Sequence, residues 1–462
     1  MACQSTTAQV EVIAPLDDER SVRLPLAHAG ADRGKQPVGE QGHPHRVVAV
    51  RENARVGAKP VPGDASPAPW EWLYDLVGVG MWTFVNARFH VEILGRPLPR
   101  VARGQLWVST HRAETDVPLV AGMLFARAGM WRHNGARIHF AARDDLFEPG
   151  VVTAGIPLPR IVARGLWRLT PGPWLPRVRV HPIRRPTGLK LGQVLRDLPP
   201  ETRLDQIVGP RLRSVLDERA RRIGRLAPVL TGDACHPDYA RALWHDVLLD
   251  DLTSPLGEER WRAHIARAAG DVRRLVRLVA DGKPLLLYPE GRVSPDGSIG
   301  AIGELVEIIV RRGRPREIIP IGIAYDPLDG KRTRVAVGIG PTLNADGSDL
   351  ASDLSENLRR STPLTVGQAV CGVLAAHPGT WSRAALTTAV EQAVAIAESS
   401  GRPVVRALTD ASRSEHLDSV LAALAARRAV TRDGERITVA PVRLSEDPIT
   451  SRLVREWEAT TA

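Results

Sequence analysis

The side chains best suited to chemistry are His111 and Asp116, which follow a β-prone run at residues 105–110. On one continuous helix, five residues would turn these side chains about 140° apart. They can meet if His111 lies in a strand-to-helix turn and Asp116 lies in the first helical turn. Asp116 would then accept a hydrogen bond from one imidazole nitrogen, and the other nitrogen could take a proton from a hydroxyl. In the alternative interpretation, His111 satisfies a backbone group of the turn and Asp116 caps the helix.

A second polar block, Tyr288-Pro-Glu-Gly291, ends an apolar run that begins at Leu285. The run is apolar on both faces, which is typical of a buried parallel strand. Open α/β sheets bind ligands at the carboxyl edge of such strands, where Glu290 would stand. The glycine allows close approach of a ligand, and the guanidinium of the next residue, Arg292, suits a phosphate. Alternatively, the block is a glycine turn with a solvated glutamate and arginine.

Together the two blocks predict a general base and an anion-binding loop. These groups suit acyl transfer to a hydroxyl of an acceptor that carries a phosphate. The hydroxyl oxygen would attack a thioester carbonyl, so no nucleophile of the protein is required. We expect no metal site, because Cys3, Cys235 and Cys371 have neither disulfide nor zinc spacing.

The elements that must position these blocks alternate between strands and helices over residues 70–345, which predicts an α/β fold. We expect a mixed, largely parallel sheet flanked by helices, in a domain of residues 69–345. Residues 190–255 are Arg-rich and helical, and we interpret them as an insertion in this domain. The predicted strands cover residues 90–94, 105–110, 138–142, 178–183, 285–288, 318–324 and 333–339, and the main predicted helices cover 116–127, 258–281 and 301–312.

The regions on either side of this domain differ from it in composition. Residues 1–68 are polar and rich in Gly, Pro and Ala, so we expect a mostly disordered leader. Residues 345–362 are rich in Asp, Ser and Asn and predict a polar linker. Residues 363–445 combine three helical patterns with a hairpin signal at Asp433-Gly434, which predicts a helical, winged-helix-like module. Such modules more often serve packing than DNA contacts, so nucleic acid is not an expected partner.

The composition is that of a globular protein with a basic surface. The 462 residues are 43% hydrophobic and 25% charged, and the net charge is +10. This charge favours anionic partners such as phospholipid headgroups, phosphorylated substrates or an acidic carrier protein. Residues 70–89 are rich in aromatic side chains, and they form either a core helix or an interfacial helix on a membrane surface. Without a signal-peptide pattern or a spanning apolar run, we expect a cytoplasmic protein, peripheral on the inner face of the cell membrane.

At its two polar blocks the chain resembles the glycerolipid acyltransferase family, which comprises glycerol-3-phosphate and 1-acylglycerol-3-phosphate acyltransferases and their relatives. The first family block has Asn-His, a Ser, and an Asp after four intervening residues. The chain matches its His and Asp, with Thr110 for Asn and Ala113 for Ser. The third family block, Phe-Pro-Glu-Gly-Thr-Arg-Ser, is matched at Tyr288, Pro289, Glu290, Gly291 and Ser294, with Arg292 one place early and Val293 where the Arg usually stands. The resemblance covers about residues 72–343.

The other two family blocks are less complete. Val180-His-Pro-Ile-Arg184 is the candidate for the second block, Gly-x-x-Phe-Ile-x-Arg, with Arg184 or Arg185 as the phosphate contact. Its Gly and Phe are missing, which leaves the acceptor open. The fourth block, a strand with a central proline, fits Ile319-Pro320-Ile321.

The resemblance implies an O-acyltransferase of phospholipid biosynthesis. It would move a fatty acyl group from acyl-CoA or acyl carrier protein to a hydroxyl of glycerol 3-phosphate or lysophosphatidate, without a metal or another cofactor. The implied site consists of His111 as general base, Asp116 as its orienting carboxylate, Glu290 and Gly291 at the acceptor, and Arg292, Arg184 and Arg185 as phosphate ligands.

Two alternative functions, and the role of the insertion at residues 190–255, stay open. The altered Thr110, Ala113 and Val293 also suit a non-catalytic lipid-binding or scaffold protein on the same fold. An acyltransferase for a specialised metabolite or a glycolipid is the other alternative. The insertion is either a solvated segment or a lid or docking surface for a membrane or an acyl carrier protein.

Overall fold

The computed structural model describes residues 9–12, 22–25, 68–127, 137–148, 171–185, 188–253, 255–294, 297–345, 347 and 349–461. The chain divides into two compact units. The sheet unit consists of Pro69–Ala141 and Leu275–Ala462, and the helical unit consists of Met1–Ala68 and Ala142–Arg274. The predicted domains at 69–345 and 363–445 stay a prediction.

Most of the predicted leader, residues 1–68, lies outside the described residues. Its described part contains two strands, β1 (Gln9–Val12) and β2 (Val22–Pro25), which pair antiparallel. The prediction of a mostly disordered leader therefore stays a prediction.

The alternation of strands and helices produces the expected mixed, largely parallel sheet. The strands of this region are β3 (His90–Gly95), β4 (Gln105–Ser109), β5 (His139–Arg143), β6 (Val180–Ile183, in the helical unit), β7 (Leu285–Leu287), β8 (Glu317–Asp326) and β9 (Arg334–Ile339). In the sheet unit they lie in the order β3-β9-β8-β4-β7-β5. Neighbours pair parallel except β8 and β9, which pair antiparallel.

The middle strands, β4 and β7, are buried along their whole length. A strand covered on both faces needs a side chain that tolerates burial at each position, which is why an uninterrupted apolar run predicts it. Both strands are parallel, so their carboxyl ends, which precede His111 and Tyr288, meet at one edge of the sheet.

The described helices confirm the three main helix predictions within a few residues. They are α1 (Glu71–Arg88), α2 (Asp116–Arg127), α3 (Leu191–Arg196), α4 (Pro210–Ile223), α5 (Thr231–Ala234), α6 (Ala240–Leu243), α7 (Pro255–Ala280), α8 (Glu304–Gly313), α9 (Leu350–Ser361), α10 (Val366–Ala376), α11 (Arg383–Ser399), α12 (Arg406–Thr409), α13 (Arg413–Ala426), α14 (Pro441–Glu446) and α15 (Pro448–Thr461).

The prediction of a polar linker at 345–362 is wrong, because most of this segment forms α9. Asp349 caps its start, and the Asp349 carboxylate accepts a hydrogen bond from the Ser352 amide at 3.2 Å. Leu350, Leu354 and Leu358 recur every four residues and are buried where α9 packs on β8. A stripe of three leucines is therefore enough to fold a polar segment when a sheet covers it.

The helical unit contains α3 to α6 and the first part of α7, as expected for an Arg-rich helical segment. Its own core is built from leucines and smaller aliphatic residues, including Leu191, Leu204, Leu212, Leu216 and Leu243. The helix α4 ends at Gly224, whose φ of +66° lies in the left-handed region that favours glycine. This unit therefore has a core independent of the sheet.

The C-terminal elements include the predicted hairpin. The strands β11 (Val430–Asp433) and β12 (Arg436–Val439) pair antiparallel around Gly434, which has a φ of +56°. With β10 (Thr380–Ser382) they form a three-stranded sheet in the order β10-β12-β11. The assignment of a winged-helix-like module stays a prediction. The chain continues past residue 445 into α15, which packs against α10.

Candidate functional site

The turn after β4 is fastened to the neighbouring strand β8. The backbone N–H of Thr110 donates to the Ile321 carbonyl at 3.0 Å, and the Thr110 hydroxyl oxygen accepts from the Ile323 N–H at 3.0 Å. Because both bonds go to one strand, the backbone at His111 has a fixed direction. Threonine thus anchors the position that is asparagine in the family pattern.

The structure brings the predicted His111 and Asp116 together. His111 lies in the turn, α2 begins at Asp116, and the distance from His111 Nδ1 to Asp116 Oδ2 is 3.1 Å. The same oxygen accepts hydrogen bonds from the backbone amides of Arg112 and Ala113. One carboxylate therefore both orders the turn and orients the imidazole. The amides that it accepts from precede the helix, so these contacts are not those of a helix cap.

Tyr325 completes the setting of Asp116. Its hydroxyl donates to Asp116 Oδ1 at 2.6 Å and lies 3.0 Å from the hydroxyl of Thr115. Burial and the negative charge of Asp116 raise the pKa of Tyr325, so the phenol stays a neutral donor. Sequence reasoning missed Tyr325, which lies 209 positions from Asp116 at the end of a strand that was itself predicted.

The imidazole of His111 is held on its face as well. Its ring stacks on that of Tyr288, with centroids 4.4 Å apart and planes 28° apart. Tyr288 is half-buried, and within the described ranges its buried hydroxyl has no hydrogen-bond partner. With Nδ1 turned to Asp116, the remaining nitrogen Nε2 forms no hydrogen bond with any described residue. His111 therefore has the geometry of an oriented base with one nitrogen available.

Glu290 links the two sequence blocks directly. Its Oε1 accepts a hydrogen bond from the His111 backbone amide at 3.2 Å, and its Oε2 accepts from the Gly300 amide at 3.0 Å. The Ser294 amide donates in turn to the His111 carbonyl at 2.8 Å. Burial raises the pKa of Glu290, and the two amide bonds oppose that shift. Glu290 thus joins the backbone of His111 to that of Gly300.

The other predicted site residues have different environments. Gly291 is exposed, with a φ of +62° and open space where a Cβ would stand. Arg292 is also exposed, and it forms no ion pair with any residue that the structure describes. Both residues are accessible at the loop that follows β7.

Arg184 and Arg185 lie in the helical unit, where each has internal partners. Arg184 Nη1 is 2.7 Å from Asp271 Oδ2, and the Arg184 backbone amide donates to the same oxygen at 3.2 Å. The Arg185 carbonyl accepts a hydrogen bond from His264 Nε2 at 2.8 Å. Burial lowers the pKa of the Arg185 guanidinium. The described contacts therefore bring His111, Asp116 and Glu290 together, and they place Arg184 and Arg185 in other local networks.

A helix beyond the predicted C-terminal module also contacts the turn. Arg452 of α15 donates from Nη2 to the Arg112 carbonyl at 2.6 Å, and its Nε donates to Glu456 Oε1 at 2.9 Å. Arg112 and Arg452 lie 340 positions apart, so no local pattern could indicate this contact. The backbone of the turn is thus supported by β8, by the Pro-Glu-Gly loop and by α15.

Comparison with known proteins adds little to this geometry. No family model matches the chain, and no curated protein matches it. Among solved structures, the chain is similar to the crystal structure of the 1-acyl-sn-glycerophosphate acyltransferase of Thermotoga maritima. That similarity has 14% sequence identity and a TM-score of 0.27, and it covers 62% of this chain and 74% of that chain. A similarity of this size identifies neither a fold nor an activity.

Proposed function

We propose that the protein is an acyltransferase that moves a fatty acyl group from acyl-CoA or acyl carrier protein to a hydroxyl of glycerol 3-phosphate or lysophosphatidate. The proposal depends on one observation. His111 has its Nδ1 on the buried carboxylate of Asp116, its ring on Tyr288, and its Nε2 available to an acceptor. His111 also follows the carboxyl end of β4, which is parallel to β7, and this edge of an α/β sheet is where ligands commonly bind.

In the proposed reaction, Nε2 of His111 takes the proton of the acceptor hydroxyl. The hydroxyl oxygen then forms a bond to the thioester carbonyl carbon, and the carbonyl π electrons move onto its oxygen. When that tetrahedral intermediate collapses, the carbon–sulfur bond breaks and the thiolate takes the proton from His111. The products are the ester and a free thiol, and Asp116 stabilises the imidazolium that exists between the two steps.

The intermediate needs donors for its negative oxygen. The Gly291 and Ser294 amides already donate to the Tyr288 and His111 carbonyls, so the candidates are the amides between them, at Arg292 and Val293. The neighbouring glycine, which has no side chain, would allow a ligand to approach this main chain closely. Arg292, exposed beside them, would attract an anionic acceptor from solvent towards this loop.

The exposed apolar side chains of α1 favour the proposal that the protein binds its lipid substrate at a membrane surface. Trp72, Leu76 and Phe84 are exposed on this helix, at 62%, 58% and 44%. Its opposite side packs against α2, where Gly78 lies against the ring of Phe125. No described helix is long and apolar enough to cross a membrane. We propose a peripheral position on an anionic membrane surface, with the apolar side chains of α1 at headgroup depth.

The experiment that tests the activity measures release of free thiol by the purified full chain. Acyl-CoA and acyl carrier protein are offered as donors, and glycerol 3-phosphate, lysophosphatidate and glycerol as acceptors. We expect thiol release that requires a phosphorylated acceptor. Binding of lipid vesicles without thiol release under all donor and acceptor pairs would favour the non-catalytic alternative.

A further inference from the structure

Arg112, the residue after His111, has a side chain that is buried without partners. It is 1% exposed, and none of its three guanidinium nitrogens has a hydrogen-bond partner within the described part of the chain. Placing an ion inside a protein without hydrogen bonds is strongly unfavourable, and native proteins almost always supply partners. The guanidinium therefore indicates a missing partner that accepts several hydrogen bonds at once.

The nearby carboxylates do not fill this role. Burial lowers the pKa of Arg112, while the charges of Glu456 and Glu290 oppose the shift, so both carboxylates are within electrostatic reach. Both oxygens of Glu290 accept from backbone amides. The oxygens of Glu456 accept from Arg452 and Gln368, at 2.9 and 2.8 Å. These carboxylates favour the charge of Arg112 without accepting its hydrogen bonds.

A second buried arginine belongs to the same polar network. Arg402 donates to the carbonyls of Thr362 and Pro363 and to the side-chain oxygen of Gln368, while its Nη1 has no described partner. Gln368 in turn donates to Glu456. Burial lowers the pKa of Arg402 to about 9, and the positive charge of Arg112 adds to that shift while Glu456 opposes it. Two guanidinium groups thus lie close enough to repel each other and share one carboxylate between them.

We propose that Arg112 is the buried phosphate-binding residue of the site and takes a phosphomonoester or free phosphate on its guanidinium. A phosphate offers several acceptor oxygens, which the planar fork of an arginine can bind in pairs. The identification of that phosphate as part of the acyl acceptor rests on the proposed function. The phosphate would then be held by the residue that follows the general base, which fixes the acceptor next to His111.

The arginines indicated by the family blocks are weaker candidates for this role. Arg184 is already paired with Asp271. Arg292 is exposed, and a charge pair in water is screened and contributes little. The guanidinium of Arg112 is closed off from solvent, so binding of a phosphate there would require the turn or an element packed on it to open. Inside that enclosure the same charge pair is much stronger.

The test is the apparent Tm of the full chain in inorganic phosphate, in glycerol 3-phosphate and in acetate, with ionic strength held constant by chloride. Wild type is compared with Arg112→Gln, Arg112→Lys and Arg292→Gln. Arg383→Gln is the matched control, because Arg383 is also a buried arginine but is bound to Asp418, Thr387 and Ser414. Phosphate at about 100 times its Kd should raise the Tm of wild type by roughly 3–5 °C.

We expect this rise in wild type, in the Arg383 control and in Arg292→Gln, a smaller rise in Arg112→Lys, and none in Arg112→Gln. In chloride alone, Arg112→Gln should melt at or above wild type, because it removes an unpaired buried charge. The proposal is overturned if phosphate stabilises Arg112→Gln as much as wild type, if acetate acts as well as phosphate, or if no anion stabilises wild type. Equal effects of the two phosphates identify a site for free phosphate, and a larger effect of glycerol 3-phosphate identifies the phosphomonoester.

These outcomes are separable from those of the acyl-transfer assay. If phosphate raises the Tm through Arg112 but the protein releases no thiol, the phosphate site is supported and the proposed acyltransferase activity is contradicted. If the protein releases thiol but phosphate does not change its Tm, the proposed activity is supported and the phosphate site at Arg112 is contradicted.

Discussion

The described residues of the sheet unit include two histidine–aspartate pairs with similar geometry and different surroundings. His111 Nδ1 lies 3.1 Å from Asp116, and His416 Nδ1 lies 2.7 Å from Asp329. Both aspartates are buried, and both imidazoles are partly accessible. The difference is a third group: Asp329 also pairs with Arg334 at 3.0 Å, which neutralises its charge.

The contrast shows why such a pair alone does not indicate a general base. Besides His111, Asp116 accepts hydrogen bonds from two backbone amides and from the phenol of Tyr325, and all three donors are neutral. Its negative charge is therefore available to stabilise an imidazolium. In the second pair, Arg334 already compensates the negative charge of Asp329, so His416 belongs to a structural ion-pair network.

The largest expected effect separates the two histidines. His111→Ala removes the base that takes the acceptor proton, and we expect thiol release to fall by about 10²–10⁴-fold. His416→Ala is the matched control, and its thiol release should stay near that of wild type. Steady-state thiol release by both purified variants is the measurement. Equal losses in the two variants would contradict the distinction between the pairs.

Asp116→Asn tests the orientation of His111 with a smaller change. An amide can offer an N–H to Nδ1, and the imidazole proton then moves to Nε2, where it blocks acceptance of a proton. We expect kcat to fall by roughly 10²-fold or more, with a smaller change in KM. Asp329→Asn is the control from the second pair. The idea is wrong if kcat is unchanged while both variants show native circular dichroism.

Tyr325→Phe should have an intermediate effect, because it removes one hydrogen bond to the Asp116 carboxylate and leaves the ring packed. A hydrogen bond to a charged group is worth about 1.5–3 kcal/mol, so a loss of roughly tenfold or more in kcat is expected. The apparent pKa of the kcat profile against pH should also change, since Asp116 loses a neutral donor. A variant with lower stability and an unaltered kcat would make Tyr325 structural only.

The sequence predicted the parts of this site that depend on local pattern. The buried run 285–288 predicted β7, and the strand-to-helix turn predicted how His111 and Asp116 meet. The four-residue spacing of the leucines of α9 was also visible, but its polar surroundings favoured a linker. That segment folds because β8 covers its apolar stripe, and such cover is a tertiary property.

The parts that could not be predicted are contacts between distant positions. Tyr325 is 209 positions from Asp116, and Arg452 is 340 positions from Arg112. A single sequence does not record which side chains of distant strands and helices meet. Arg112 itself follows His111 directly, but the burial of its side chain is a tertiary property that no local pattern indicates.

The smallest effect on activity is expected at Asp326, which lies close to the second pair. Its carboxylate accepts hydrogen bonds from the Gly367 and Leu328 amides, and burial, with Asp329 nearby, raises its pKa to about 6. Thiol release by Asp326→Asn should match wild type, because no contact joins this carboxylate to His111. Its effect should be on stability.

The sign of that stability effect follows from the pKa. Below pH 3.8 the Asp326 carboxyl is protonated in both the folded and the unfolded chain. Between pH 3.8 and about 6 the unfolded chain ionises it while the folded chain keeps the proton, so stability falls as pH rises. The free energy of unfolding of wild type, relative to Asp326→Asn, should therefore decrease by about 2 kcal/mol between pH 4 and pH 7. Urea unfolding of both proteins across this range measures this difference in stability. If the stability of wild type relative to Asp326→Asn instead rises with pH, the folded protein stabilises Asp326 as a carboxylate. The second pair would then lie, like Asp116, in surroundings that favour a negative charge.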